Sequence, residues 1–177
     1  MKIAYAAAIG VMAAFAATSA LADDTLLNTP NAGAWNVYGQ GQTVKNVHDN
    51  NVKGGGCKEV TVANATANTW DIGANVNIDQ PIKKGDVLTF AAYIKLDSKD
   101  AAATASIPAD IQINKAPYTA VIQGSFEVTN QWQLLYVAGT ADQDYDKGAV
   151  VAALNIGGPP KVLCLGPAFV MDGGPAK

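Results

Sequence analysis

The sequence contains no arginine. Its 12 basic residues are all lysines, and they stand against 15 acidic residues, which gives a formal net charge of −3. Arginine forks dominate the recognition of phosphates and nucleic acids. Their absence, together with the negative balance, argues against a nucleic-acid partner. Neutral or weakly charged partners fit this composition better.

Residues that commonly perform catalysis are also scarce. The single histidine, His48, stands in a polar stretch without an obvious partner for general-base chemistry, and no serine lies in a G-x-S-x-G motif. Glu59 and Glu127 are the only glutamates. We therefore expect no catalytic residues and no enzymatic activity. A small glycan-acting hydrolase that uses two aspartates, for example Asp71 and Asp110, is the less favoured alternative.

No long apolar run occurs after residue 22, and we therefore expect no membrane insertion. Residues 1–22 have one lysine near the start, an alanine-rich apolar stretch and a small-x-small ending, Ala20-Leu21-Ala22. These features predict a signal peptide over residues 1–22. Residues 23–177 then form one domain, exported to the periplasm or the medium.

Cysteine is limited to Cys57 and Cys164. An even number of cysteines in an exported chain predicts a disulfide. The alternative is a pair of buried free thiols.

The sequence does contain many short runs in which apolar and polar residues alternate. Between residues 74 and 79 the alternation is unbroken, and residues 88–96 repeat it after a Lys-Lys-Gly-Asp turn. A period of two is typical of strands with one buried face. About nine to eleven such runs, separated by turn residues, and the lack of an amphipathic helix predict an all-β, antiparallel β-sandwich.

The polar positions of these strands carry amides, carboxylates and an aromatic ring. Amides and carboxylates offer paired hydrogen-bond donors and acceptors, and an aromatic ring offers a flat apolar platform. Sugars have both hydroxyl groups and C–H faces, so such a surface suits a carbohydrate. The alternative is that each position simply faces solvent. The residues expected on this one surface are Asn75, Asn77, Tyr93, Lys95, Asp110, Gln112 and Asn155.

The three tryptophans have different predicted roles. Trp132 shares its strand phase with Leu134 and Tyr136, which predicts a core position. Trp35 is expected to pack under the first strand. Trp70 is in phase with the buried face of the following strand, which favours the core, but its place at a strand end also suits the rim of a cleft.

The order of several motifs resembles the carbohydrate-binding modules attached to bacterial cellulases and xylanases, those of families four, nine and twenty-two. The resemblance covers nearly the whole of residues 23–177. The segments that carry it are WNVYG (35–39), GGGCKEVTV (54–62), NTWDIGANV (68–76), PIKKGDVLTFAAYIKL (81–96), IQINKAPYT (111–119), VTNQWQLLYVAGTAD (128–142), LNIGG (154–158) and VLCLGPAFV (162–170).

This resemblance implies a jelly-roll sandwich that holds a sugar across a concave sheet face. It also implies that such modules often hold a structural calcium near the chain ends. The usual acidic residue of the last strand is replaced here near Gly166, although Asp172 follows, so we expect no cofactor and leave a structural calcium open. The residues expected to contact carbohydrate are Trp70, Asn75, Tyr93, Lys95, Gln112 and Asn155.

The resulting hypothesis is a secreted, non-catalytic module that binds a polysaccharide or oligosaccharide. Its possible second partner is a separate glycan-degrading enzyme, since no catalytic domain is attached. The main alternative is an envelope protein that binds another protein.

Overall fold

The computed structural model describes residues 24–176. The signal peptide predicted over residues 1–22 lies outside them. Within the described residues the chain forms eleven strands and two short 3-10 helices, Ala32–Ala34 and Thr69–Asp71. Neither helix is long and apolar enough to cross a bilayer.

The strands form two antiparallel sheets. Sheet A consists of β1 (Thr25–Leu26), β3 (Gln42–His48), β4 (Gly56–Val62), β6 (Asp86–Leu96), β9 (Gln133–Thr140) and β11 (Lys161–Pro175). Sheet B consists of β2 (Asn36–Gly39), β5 (Ile72–Asn77), β7 (Thr104–Ile113), β8 (Ala120–Thr129) and β10 (Val150–Asn155). Sheet A has the order β3-β4-β11-β6-β9, with β1 paired to β11, and sheet B has the order β2-β5-β10-β7-β8. Together they make the predicted antiparallel β-sandwich of the jelly-roll type.

The core lies between the two sheets and is made by the apolar phase of each strand. Phe90 of β6 and Phe126 of β8 bring their ring centroids to 5.4 Å across the sandwich. The indole of Trp35 packs 6.3 Å from Phe90 and donates a 2.7 Å hydrogen bond to the Gly166 carbonyl, which confirms its predicted buried position. Truncating a buried aromatic such as Phe90 to alanine costs about 3–5 kcal/mol in comparable cores.

The Lys-Lys-Gly-Asp turn leads the chain from sheet B into sheet A. Gly85 has φ +90°, a left-handed conformation that suits glycine, and the Asp86 carboxylate accepts a 2.8 Å hydrogen bond from the Lys83 backbone N–H. As a result, β5 and β6 are consecutive along the chain but lie in different sheets.

The predicted disulfide is present. Cys57 of β4 and Cys164 of β11 are bonded, with 5.5 Å between their Cα atoms. Because the bond links residues 107 positions apart, it restricts the unfolded chain strongly. The chain-entropy model gives a stabilisation of about 4–5 kcal/mol.

The prediction that Trp132, Leu134 and Tyr136 face the core is wrong. Leu134 and Tyr136 are 49% and 68% exposed, whereas Val137 is buried and Leu135 packs against the core. Successive side chains of a strand point to opposite faces, so a shift of one residue exchanges them. The run Gln-Leu-Leu-Tyr-Val offers an apolar residue in both phases, and the sequence alone did not distinguish them.

Candidate functional site

A groove of about 790 Å³ crosses the outer face of sheet B. All five strands of the sheet, one 3-10 helix and the β7–β8 loop contribute to it. The lining residues are Asn36, Tyr38, Trp70, Asn75, Asp110, Gln112, Asn114, Pro117, Tyr118, Ala120, Gln123 and Asn155.

The strand register brings one row of outward residues into line across the whole sheet, and four of its five members are polar. Residues that pair across neighbouring strands point to the same face. At a spacing of roughly 4.8 Å between strands, five strands span about 19 Å, the length of a short oligosaccharide. The row, from edge to edge, is Asn36, Asn75, Ala153, Asp110 and Gln123.

Short side chains occupy several outward positions of the central strands. Besides Asn155, the outward residues of β10 are Val151 and Ala153, which are buried but lie outside the core cluster. In β5, Gly73 pairs with Tyr38, and a Cβ atom there would overlap the Tyr38 phenol. The Tyr38 ring therefore lies across Gly73, which places it in the groove.

The β7–β8 loop, residues 114–119, forms one wall. It ends in a hydrogen bond from the Ile113 N–H to the Thr119 carbonyl, and the Asn114 N–H bonds to the Ala149 carbonyl, both at 2.9 Å. Tyr118 sits on the loop at φ 58° and is 57% exposed. Its ring is presented to the groove by a loop whose backbone is tied to the sheet.

Trp70 lies at one end of the groove and is 65% exposed. The prediction from its phase that it belongs to the core is wrong, because residues 69–71 form a 3-10 helix and not the start of β5. A capping box between Asn68 and Asp71 caps the N-terminal end of this helix. The helix rests on the β10–β11 connection, where Gly157 donates a 2.8 Å hydrogen bond to the Thr69 carbonyl. Trp70 is thus an exposed indole held on a fixed turn.

Among the described residues that line the groove, Asp110 is the only charged one. Its Oδ2 accepts a 3.3 Å hydrogen bond from Asn155 Nδ2, while its Oδ1 is buried without a partner. Burial raises the pKa of Asp110 above its ordinary value, and a hydrogen bond from the Gly124 backbone to the carboxylate lowers this pKa to a smaller degree. The pKa of Tyr38 is also raised, first by burial and then by the charges of Tyr118 and Asp110.

The structure brings four of the six predicted contact residues together. Trp70, Asn75, Gln112 and Asn155 all line the groove. Of the other residues expected on the same face, Asp110 also lines it. The polar alternation in β5 and β7, and Asn155 at the end of β10, therefore indicated the outer face of sheet B correctly.

Tyr93 and Lys95 lie elsewhere, and the expectation that they share this surface is wrong. Both belong to β6 in sheet A, between β9 and β11. Tyr93 packs edge-on to Phe169, with ring centroids 6.3 Å apart. Lys95 Nζ lies 2.8 Å from Asp49 Oδ2 and 5.0 Å from the centre of the Trp132 ring. Alternation showed that these two side chains face away from the core but not on which sheet.

Several groove residues were not singled out from the sequence. Gln123 follows the alternation of β8, and this signal was present but weakened by Gly124 and Ser125. Tyr38 lies on the short strand β2, and Tyr118 lies on a loop, where no periodicity operates. Their roles depend on the pairing of strands distant in sequence.

Within residues 24–176, no group of three or more histidine, cysteine, aspartate or glutamate side chains is arranged to hold a metal ion. The structural calcium left open from the sequence stays a prediction.

The fold and the groove can be compared with known proteins. Residues 24–156 match the model of the CBM_4_9 family, described as a carbohydrate binding domain. The chain therefore belongs to this family of carbohydrate-binding domains. No curated protein sequence matches the chain.

Solved structures share the fold at low sequence identity. A structure described as CBM4 is 19% identical, with a TM-score of 0.62, over 79% of this chain and 95% of its own. The second N-terminal cellulose-binding domain of Cellulomonas fimi β-1,4-glucanase C is 16% identical, with a TM-score of 0.61, over 87% and 97%. The CBM22-1 xylan-binding domain of Paenibacillus barcinonensis Xyn10C is 14% identical, with a TM-score of 0.59, over 86% and 97%.

Proposed function

We propose that the protein binds a polysaccharide or oligosaccharide without catalysis, in the groove on the outer face of sheet B. The observation that carries this proposal is the row of polar residues on four of the five strands, flanked by the exposed rings of Trp70 and Tyr118. Amide and carboxylate groups match sugar hydroxyls, and the rings match the C–H faces. Membership of a carbohydrate-binding family and the names of similar structures support the same conclusion.

The groove is built to bind with little rearrangement. Its polar groups stand on paired strands, and its loop wall and Trp70 turn are fixed by backbone hydrogen bonds. A preformed site loses less conformational freedom on binding. Because one carboxylate is the only charge that residues 24–176 contribute to the lining, affinity should depend weakly on salt.

We also propose that the chain is exported, as its residues 1–22 predict. The disulfide between Cys57 and Cys164 supports this, because such bonds persist in oxidising compartments. A separate glycan-degrading enzyme remains the predicted second partner. Binding of the same polymer would bring the two together without direct contact.

The test is native affinity electrophoresis of the mature protein through gels that contain soluble xylan, β-glucan, hydroxyethylcellulose or glucomannan. The variants are Trp70→Ala and Gln112→Ala in the groove, with Tyr93→Ala on sheet A as the matched control. Retardation in at least one gel is expected. The groove variants should bind about tenfold more weakly, as for aromatic and buried polar anchors at other interfaces, and the control should match the wild type.

If no polymer retards the wild type, the glycan proposal fails. The alternative of an envelope protein that binds another protein would then be favoured. The exposed Leu134 and Tyr136 on the outer face of sheet A are the observation that supports this second candidate.

A further inference from the structure

The turn that carries Trp70 rests on the connection between β10 and β11. The Gly157 N–H donates to the carbonyls of Thr69 and Ile72, at 2.8 Å and 3.0 Å. The two segments lie so close that a Cβ atom on Gly157 would be 2.6 Å from the Asn68 carbonyl oxygen. The position of the Trp70 turn therefore depends on that of the connection beneath it.

A lysine of the opposite sheet holds this connection. Lys161, the first residue of β11 in sheet A, donates from its Nζ to the carbonyl oxygens of Ile156 at 3.0 Å and Gly157 at 2.8 Å. Within residues 24–176 no carboxylate forms an ion pair with Lys161. Burial lowers its pKa below the ordinary value. The partners of this half-buried ammonium are thus backbone carbonyls, and hydrogen bonds from an ionised donor are stronger than neutral ones.

Lys161 approaches the turn from outside the groove. It is absent from the groove lining and instead lines a second cavity of about 630 Å³, together with Thr69 and Gly157. Trp70, the neighbour of Thr69, lines the groove. The same turn therefore borders both spaces, and Lys161 acts on it from the side away from the groove.

We propose that Lys161 is a positioning residue of the candidate groove: its ammonium holds the β10–β11 connection, and through the turn that rests on this connection it fixes the place of the Trp70 indole. This inference rests on the proposed function and adds to the groove a residue that acts through another.

The physical reason is that the exposed indole has few contacts of its own. Trp70 lies in a 3-10 helix of three residues, so its place is decided by the backbone hydrogen bonds of that turn. Removing the ammonium leaves two carbonyls in a half-buried place without their charged donor, which favours rearrangement of the connection. A displacement of about 1 Å is enough to impair a binding site whose supporting groups are lost.

The experiment uses Lys161→Met, which keeps the aliphatic stem and removes the ammonium. Lys95→Met is the matched control, because Lys95 is also a partly buried lysine, and it donates at 2.8 Å to Asp49 on sheet A. Both are also made in a Trp70→Ala background. Thermal melts establish that each variant is folded. If Lys161→Met does not fold, Lys161→Gln, which is shorter and uncharged but keeps an N–H donor, takes its place.

The first measurement is fluorine NMR of the mature protein labelled with 5-fluorotryptophan, without ligand. The three tryptophans give three signals, assigned by replacing Trp70 and Trp132 in turn with phenylalanine. Lys161→Met should shift or broaden the Trp70 signal and leave that of Trp132 unchanged. Lys95→Met should do the reverse, because Lys95 Nζ lies 5.0 Å from the centre of the Trp132 ring.

The second measurement is titration calorimetry with xylan and β-glucan oligosaccharides. Lys161→Met should weaken binding by roughly threefold to tenfold, within the range for residues coupled through one network. In the Trp70→Ala background the same substitution should weaken binding no further, because its effect passes through the missing indole. Lys95→Met should keep the wild-type affinity.

Either of two results overturns the inference and leaves the proposed function intact. One is a folded Lys161→Met variant in which the affinity or the Trp70 signal is unchanged. The other is an equal weakening of binding with and without Trp70, which would mean that Lys161 acts by another route. If the wild type binds none of the oligosaccharides, the proposed function fails and this inference fails with it.

Discussion

The Tyr38 ring occupies the space that a side chain at Gly73 would need. The two residues are register partners on β2 and β5, and a Cβ atom on Gly73 would meet the Tyr38 hydroxyl oxygen and ring. Residue 73 also pairs with Asn155 on β10, on the other side. One glycine thus lets an aromatic ring from the edge strand reach towards the polar centre of the groove.

Gly73→Ala should therefore displace Tyr38 and weaken both stability and glycan binding. Overpacking of this kind costs about 1–3 kcal/mol in the free energy of unfolding. The double variant Gly73→Ala/Tyr38→Ala should recover part of this loss in urea denaturation, because the overlap is gone. Additive effects of the two substitutions would contradict the relationship, since residues in contact are expected to couple.

The Thr66 hydroxyl is predicted to position Trp70. It donates a 2.7 Å hydrogen bond to the Asn68 carbonyl and accepts a 2.6 Å hydrogen bond from the Gly158 N–H. Thr66→Val keeps the shape and removes both bonds, so it should lower the free energy of unfolding by about 1–3 kcal/mol.

The same substitution should weaken glycan binding in affinity gels, relative to the exposed control Thr43→Val. A stability loss with unchanged binding would show that the turn carrying Trp70 does not depend on this link.

The alternation of polar and apolar residues was sufficient to predict the sandwich and much of the groove. Ala74, Val76 and Leu88 are buried as expected, and Asn75 and Gln112 emerge on the outer face. Both results depend only on the period of a strand, which is a local property. An even cysteine count, together with the predicted signal peptide, likewise predicted the disulfide.

The assignment of strands to sheets could not be predicted in the same way. Tyr93 and Asn75 have similar polar alternation around them, but the connection after β5 carries the chain to the other sheet. The choice of sheet is decided by contacts between strands far apart in sequence. Trp70 was misjudged for a related reason: a 3-10 turn interrupts the phase that its neighbours in β5 follow.

Asp110→Asn should increase stability at neutral pH. The pKa of Asp110 is raised above the ordinary 3.8 by burial, so the folded state binds its proton more tightly than the unfolded chain does. Its contribution to stability is then fully present below 3.8 and is lost as the pH rises through the folded-state pKa. At neutral pH the ionised group is a net cost.

Removing that charge should raise the free energy of unfolding by about 1 kcal/mol at neutral pH. Chemical denaturation at several pH values is the measurement, and the gain should shrink as the pH falls. A variant that is less stable than the wild type at neutral pH would mean that the carboxylate has a partner in solution.

Asp49→Asn should have the opposite dependence on pH. Lys95 donates to Asp49 Oδ2 at 2.8 Å, and the Asn51 N–H and the Trp132 indole N–H each donate to the carboxylate at 2.9 Å. The hydrogen bond from Lys95, followed by those from Asn51 and Trp132, holds the pKa of Asp49 well below its usual range. Its stabilisation is therefore present above the unfolded-state pKa and disappears only as the pH falls through the depressed pKa.

At neutral pH the substitution should lower the free energy of unfolding by about 1 kcal/mol, as expected for a charge-assisted bond at a site that solvent still reaches. The difference from the wild type should vanish in strong acid. Glycan binding should not change, because Asp49 contacts sheet A through Lys95 and Trp132. Denaturation curves measure the change in stability, and affinity gels on the same samples measure glycan binding. A loss of binding would place a ligand contact on the outer face of sheet A.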